Sequence, residues 1–292
     1  MSIFFIAIAV IGATVIWPVN RWVMYNHGRP QVYGFWASLT GAIVSLSIAL
    51  AKNQSILQPK VWAVGAVIGF AFAIGYCVII LHCMQIGPFG PTVAMNNMGI
   101  VWPVVLGALW LKPHPINELF IIALIMVGLS LFFFGLSHSG SSNIRQTRGV
   151  SARWIWLAFL GWIFSGISMT GQLVASIYTP DSYFAILFAF EFTATLILAT
   201  LVLRPGRAWF NRKELMGGII NGTLTVIIGS ATLIALKYAA PELVFPLTVA
   251  GPMILVLVLG RLLYREHLNI FSWAACLVGV LGLIGLSLGQ SL

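Results

Sequence analysis

Apolar runs of about twenty residues recur along the whole chain, and its few charges fall between them. A helix rises 1.5 Å per residue, so a run of this length crosses the roughly 30 Å of hydrocarbon in a bilayer. The runs lie approximately at 3–25, 32–51, 61–83, 90–111, 116–137, 154–177, 182–203, 215–235, 243–263 and 270–289. Inside lipid each backbone amide must find its partner within its own segment, so the expectation is a helix for every run. A soluble domain would carry roughly a quarter charged residues. This chain has 7% charged and 60% hydrophobic residues, with a mean hydropathy of +1.01. The fold class expected is therefore all-α integral membrane, with ten transmembrane helices.

The first run has no basic leading region and no small-residue cleavage site, and it continues through Trp17. It reads as a retained span rather than a secretory signal. Cys77, Cys83 and Cys276 all lie inside runs and form no disulfide, zinc or haem pattern. The net charge of +9 is scattered over short loops without interleaved aromatics, which fits membrane topology and argues against a nucleic-acid partner. Loops on the face opposite the termini carry Arg21, Arg29, Arg145, Arg148, Arg153, Arg204, Arg207, Arg212, Lys213, Arg261 and Arg265, which leaves four of the 15 basic residues for the other face. By the bias of Lys and Arg toward the cytoplasm, both termini are expected outside it.

The chain also matches itself. "LHCMQIGPFGP" (81–91) aligns with "IALKYAAPELV" (234–244) at an offset of 153, with Pro88 on Pro241, and the same offset lays "GALWLKPH" (107–114) on "GRLLYREH" (260–267). At an offset of 150, "RPQVYGFW" meets "TPDSYFAI", pairing Pro30 with Pro180 and Tyr33 with Tyr183. The expected organisation is a first five-helix repeat over 1–137, a connecting loop at 138–153 and a second repeat over 154–292. Five is odd, so the second copy enters the membrane from the opposite side: the repeats are inverted, as in many secondary transporters.

The segment 235–289 orders a short "ALKY" helix end, Pro252, Glu266 in a short loop, and Gly279, Gly282 and Gly285 in a last helix. In this it resembles the EamA-like ten-helix branch of the drug/metabolite transporter superfamily. The stretch "NMGIVWP" (97–103) resembles the fourth helix of bacterial amino-acid exporters in the same superfamily. Pro113 stands where Glu266 stands in the second half, so the first half carries the pattern less fully. The resemblance implies a bacterial inner-membrane transporter, a monomer or homodimer, of amino acids, sugars or related solutes, and termini on the cytoplasmic side. That last implication opposes the charge bias.

Candidate site residues are the polar groups at membrane depth. Asn96 and Asn97 must face protein or water, because an unpaired amide in hydrocarbon costs several kcal/mol. Neighbouring helix positions point about 100° apart, so one is expected at a central cavity and the other at a helix contact. The plainer reading is that both join helices, at roughly 0.6 kcal/mol each. Trp102 and Pro103 follow within two turns, and the offset-153 equivalents Val249 and Ala250 are apolar. Trp17 and Asn20 stand three apart beside Pro18, on one helix face. Tyr76, His82 and Gln172 complete the set, with His82 and the hydroxyls of Ser165, Ser168 and Thr170 more ordinary as interfacial or helix-bonding groups. Gly65 with Gly69, and Gly218 with Gly222, form small-xxx-small pairs that read as helix contacts.

No HExxH, GxxxxGK[ST] or GxSxG motif is present, and "GVLGLIG" (279–285) lacks the dinucleotide spacing. An intramembrane enzyme needs a nucleophile with a base, paired carboxylates or a metal cluster, whereas here one carboxylate, Glu191, lies near membrane depth. The expectation is a secondary active transporter of a small polar metabolite, without cofactor, its partners being the solute, the bilayer and protons. A drug exporter of the same fold and a membrane-embedded enzyme are the alternatives. An ionised carboxylate is costly at that depth. A group that takes up and releases a proton there is what coupling to a proton gradient requires, unless a basic residue such as Arg21 pairs with it.

Overall fold

Proline sets two of the helix starts. Pro30 and Pro59 follow the extended residues Arg29 and Gln58, at a position where the missing N–H has no helical partner to lose and the fixed φ already suits the helix. In the computed structural model, which describes residues 2–87, 89–106, 118–136, 152–179, 181–203, 210–238, 241–264 and 270–291, these prolines open α2 (Pro30–Ala51) and α3 (Pro59–Ile86). Before them comes α1 (Ser2–Tyr25). Next in the chain are α4 (89–106), α5 (Glu118–Leu136), α6 (Ala152–Tyr178) and α7 (Tyr183–Val202). They are followed by α8 (Arg212–Tyr238), α9 (Pro241–Tyr264) and α10 (Ile270–Ser291). No strand occurs among the described residues. Pro88, Pro113, Pro180, Glu266 and residues 138–151 of the connecting loop lie outside them.

The first two helices stop in the same way. His27 and Asn53 take left-handed φ values of 60° and 52°. Each turns the chain so that the next amide, on Gly28 or Gln54, bonds back to Val23 O or Ala49 O at 3.0 and 2.9 Å. This satisfies helix-end carbonyls that would otherwise lack partners. Two helices depart from regular α geometry: α3 widens to a π-helix over Phe72–Ile80, and α4 tightens to a 3-10 turn over Met98–Ile100.

Among the described residues six helices, α1, α2, α3, α6, α7 and α8, are long and apolar enough to cross a membrane. Large apolar side chains such as Ile3, Val67, Leu196 and Leu262 are exposed on the outer surface, where hydrocarbon and not water would solvate them. The architecture is that of an all-α, multi-pass membrane protein.

Small residues let the helices approach closely. A Cβ on Gly65 or Gly69 of α3 would strike Ala189 and Phe190, or Phe190 and Thr193, of α7. A Cβ on Gly218 or Gly222 of α8 would strike Trp36 and Ala37, or Ala37 and Thr40, of α2. The remaining pairings include α1 with α8 and α9, α6 with α3 and α4, α2 with α7, and α5 with α10.

Polar contacts gather at the two ends of the bundle. At one end Glu214, in the first turn of α8, accepts hydrogen bonds from Arg29 N (2.7 Å), Nε (3.0 Å) and Nη2 (2.7 Å). Gln85 donates there to Gly28 O, and His82 meets Arg153 at 3.5 Å. At the other end Gln54 Oε1 accepts from the amides of Phe184 and Ala185 at the start of α7, and Lys237 meets Asp181 at 3.3 Å. Hence α1, α3 and α7 run toward the Glu214 end, and α2, α6 and α8 run away from it.

Candidate functional site

Four helices bring hydrogen-bonding side chains to one buried point. Asn20 of α1 is fully buried, one turn below Trp17. Its Nδ2 donates to Tyr76 Oη of α3 at 2.5 Å, and its Oδ1 accepts from Tyr33 Oη of α2 at 2.5 Å. Asn221 of α8 donates from Nδ2 to both Asn20 Oδ1 (2.6 Å) and Tyr33 Oη (2.8 Å), while its Oδ1 accepts from Thr225 (3.1 Å). Both asparagine amides therefore use donor and acceptor, the condition under which buried polar groups are stable in a low dielectric. Trp17 packs against the Tyr76 ring at 5.6 Å, and Phe72 stacks on it at 4.8 Å. Tyr76 lies in the π-helical stretch, a geometry that often accompanies functional positions in helices.

One helix layer away stands Glu191 of α7, 1% exposed. Its carboxyl packs on Gly41 of α2 so closely that a Cβ there would lie 2.8 Å from Glu191 Cδ. Ser38 of α2 and Tyr76 and Cys77 of α3 are its polar neighbours. Ser38 stands one turn before Gly41 on α2, and its buried hydroxyl and both Glu191 oxygens have no hydrogen-bond partner. Arg21 does not pair with it: Arg21 Nη1 donates to Met84 O and to Gly87 O.

Among the sequence candidates, Trp17, Asn20 and Tyr76 come together, with Glu191 beside Tyr76. Asn96 and Asn97 lie elsewhere, on α4 where it meets α6. Both are 7% exposed, and their side chains approach each other only at 3.5 Å. Ser165 of α6 donates to Asn96 O at 2.8 Å. Trp102 packs on Trp162 at 5.3 Å and against Gly166. It lines a cavity of about 370 Å³ between α3, α4 and α6, shared with Val64, Val67, Ile167, Thr170 and Val174. Gln172 is half-buried on α6. Three members of the buried assembly, Tyr33, Asn221 and Ser38, are not among the sequence candidates. Asn221 carries the same signal that singles out Asn96, an amide within an apolar run. Among the described residues no group of His, Cys, Asp and Glu is arranged to hold a metal ion.

No protein-family model and no curated protein sequence matches the chain. Twenty-four chains of solved structures do match its fold. One, a protein known by its crystal structure, aligns over 97% of this chain and 96% of its own with a TM-score of 0.66 at 16% sequence identity. At that identity the likeness is one of fold: the same arrangement of helices recurs over essentially the full length of both chains.

Proposed function

We propose that this protein is a secondary transporter of the drug/metabolite superfamily, of the EamA-like ten-helix kind, in the bacterial inner membrane. It moves a small polar metabolite by alternating access between two inverted five-helix halves. One observation carries the reading: inter-helix contacts recur at a constant offset of 153. Gly65 and Gly69 meet Ala189, Phe190 and Thr193, while Gly218 and Gly222 meet Trp36, Ala37 and Thr40. Every member of the first set stands 153 positions from its counterpart in the second. The helix starts Pro30 and Tyr183 keep the same offset, in place of the 150 suggested by aligning Pro30 with Pro180. The pairings of α1 with α8 and α9 likewise recur as those of α6 with α3 and α4. Each helix of these pairs runs opposite to the one five places along, which supports inversion.

The cluster of Asn20, Tyr33, Tyr76 and Asn221 joins three helices of the first half to one of the second. Neutral amides and phenols suit an uncharged or zwitterionic solute, which they would recognise when the halves part. With no nucleotide-binding motif in the sequence, the driving force is an ion gradient, exchange or the solute's own gradient. Uptake and counterflow by purified protein in liposomes, over a panel of amino acids and sugars, tests the reading. Saturable movement of at least one solute, lowered by Asn20→Ala, is expected; a folded protein that moves none of them under any gradient contradicts it. The apolar cavity beside Trp102 favours a second reading, export of hydrophobic drugs by the same architecture.

A further inference from the structure

Glu191 occupies a particular place in this arrangement. Its counterpart at the offset of 153 is Ser38, which stands one turn before Gly41 on the face of α2 that packs against the Glu191 carboxyl. A residue that meets its own equivalent lies at the pseudo-twofold axis relating the halves. We propose that Ser38 and Glu191 form one proton-binding site on that axis, in which proton occupancy sets whether α2 and α7 stay packed. The inference rests on the reading of the chain as two related halves and goes beyond it by assigning the coupling ion and its point of action.

Among the described residues, the polar groups near Glu191 come from two helices. From α2 come the Ser38 hydroxyl and the backbone at Gly41; from α3 come Tyr76 and Cys77. No salt bridge involves Glu191 among the described residues, and its oxygens have no hydrogen-bond partner. A neutral acid tolerates this setting far better than a carboxylate, whose charge needs several donors or water. A charge on Glu191 can therefore be solvated only if α2 withdraws from α7 and admits water.

Gly41 links that movement to the next helix as well. A Cβ on Gly222 of α8 would lie 2.9 Å from Gly41 N, so α2 is wedged at this level between α7 and α8. Loss of the proton thus biases the contact of one helix in the first half with two in the second, and by linkage any solute that favours parted halves releases the proton.

Hydrogen exchange of the protein in lipid nanodiscs, without any solute, tests this apart from transport. Between about pH 5 and pH 9, after correction for intrinsic exchange, protection of the amides around Gly41 and Glu191 should fall about tenfold. Protection in α5 and α10 should stay constant. Glu191→Gln should remain protected throughout. Ser38→Ala removes a hydroxyl that can donate to the ionised carboxyl and should move the midpoint upward by about one pH unit. Wild-type protection that is flat with pH, a fall spread evenly over all helices, or a Glu191→Gln variant that follows the wild type overturns the proposal. Should Glu191→Gln not fold, an unmoved midpoint in Ser38→Ala overturns it alone. Failure here leaves liposome flux unaffected as evidence for transport, and absence of flux leaves the exchange result standing.

Discussion

Removing the Asn221 side chain should weaken the fold by an amount that its bonds set. Asn221 makes three: to Asn20 Oδ1 at 2.6 Å, to Tyr33 Oη at 2.8 Å and from Thr225 at 3.1 Å. Side-chain hydrogen bonds between membrane helices average about 0.6 kcal/mol each, and a small buried void adds to the loss. Asn221→Ala should therefore cost about 2 to 3 kcal/mol. For a chain of this size that lowers the melting temperature by about 4 to 12 °C. Asn221→Asp keeps the shape but turns two donated bonds into oxygen facing oxygen when the new carboxyl is ionised. Protonated, it donates one bond again. This variant should lie further below the wild type at about pH 8 than at about pH 5, because its stability relative to the wild type is lost as the carboxyl ionises on raising the pH. Tryptophan fluorescence on heating in mild detergent at the two pH values reads both effects. A wild-type melting temperature for Asn221→Ala, or an Asn221→Asp deficit independent of pH, would refute the assignment of a structural, fully bonded cluster.

Glu214→Ala should lose the three bonds to Arg29 at one bundle end, at about 2 to 3 kcal/mol; the loss is moderated because Arg29, 38% exposed, can reach water, and thermal melting measures it. Gly69→Leu and Gly222→Leu should each abolish stable expression, since a Cβ alone would lie 2.4 Å from Phe190 O or 2.2 Å from Ala37 O; normal yield and melting of either variant would show that the contact yields. Trp102→Ala should alter movement of apolar solutes in liposomes, because the ring lines the cavity between α3, α4 and α6, and should lower the melting temperature, because the ring packs on Trp162 and Gly166; normal transport would reduce this part of α4 to helix contact. A C-terminal fluorescent fusion should stay dark if the charge bias sets orientation, and bright cytoplasmic fluorescence would favour the family expectation instead.

Much of the fold is written in hydropathy. The run at 32–51 became α2 at Pro30–Ala51, and 182–203 became α7 at Tyr183–Val202, because apolar length is the quantity a bilayer selects. The π-helical stretch is not legible, since "FAIGYCVII" is uniformly apolar and carries no mark of a widened turn. The 150 offset rests on Pro30, at the very start of α2, and on Pro180, outside the described residues; contacts deep in α2 and α7 follow 153, the spacing that packing enforces. In the site, Trp17 and Asn20 could be read from their shared face and nearby proline. Tyr33, Asn221 and Ser38 could not, because one polar residue in an apolar run declares that it needs a partner without saying which helix supplies it.

Alternating access requires the two halves to move against each other, and paired spin labels report that movement. Exposed positions suit it: Leu57 with Tyr178 at the end where Gln54 and Asp181 meet, and Tyr25 with Phe210 at the Glu214 end. Pulsed dipolar distances in nanodiscs should show two populations for each pair, with the distance at one end lengthening as the other shortens when pH or solute is changed. A single narrow distance at both ends, unmoved by pH or by any solute of the panel, would contradict alternating access in this protein.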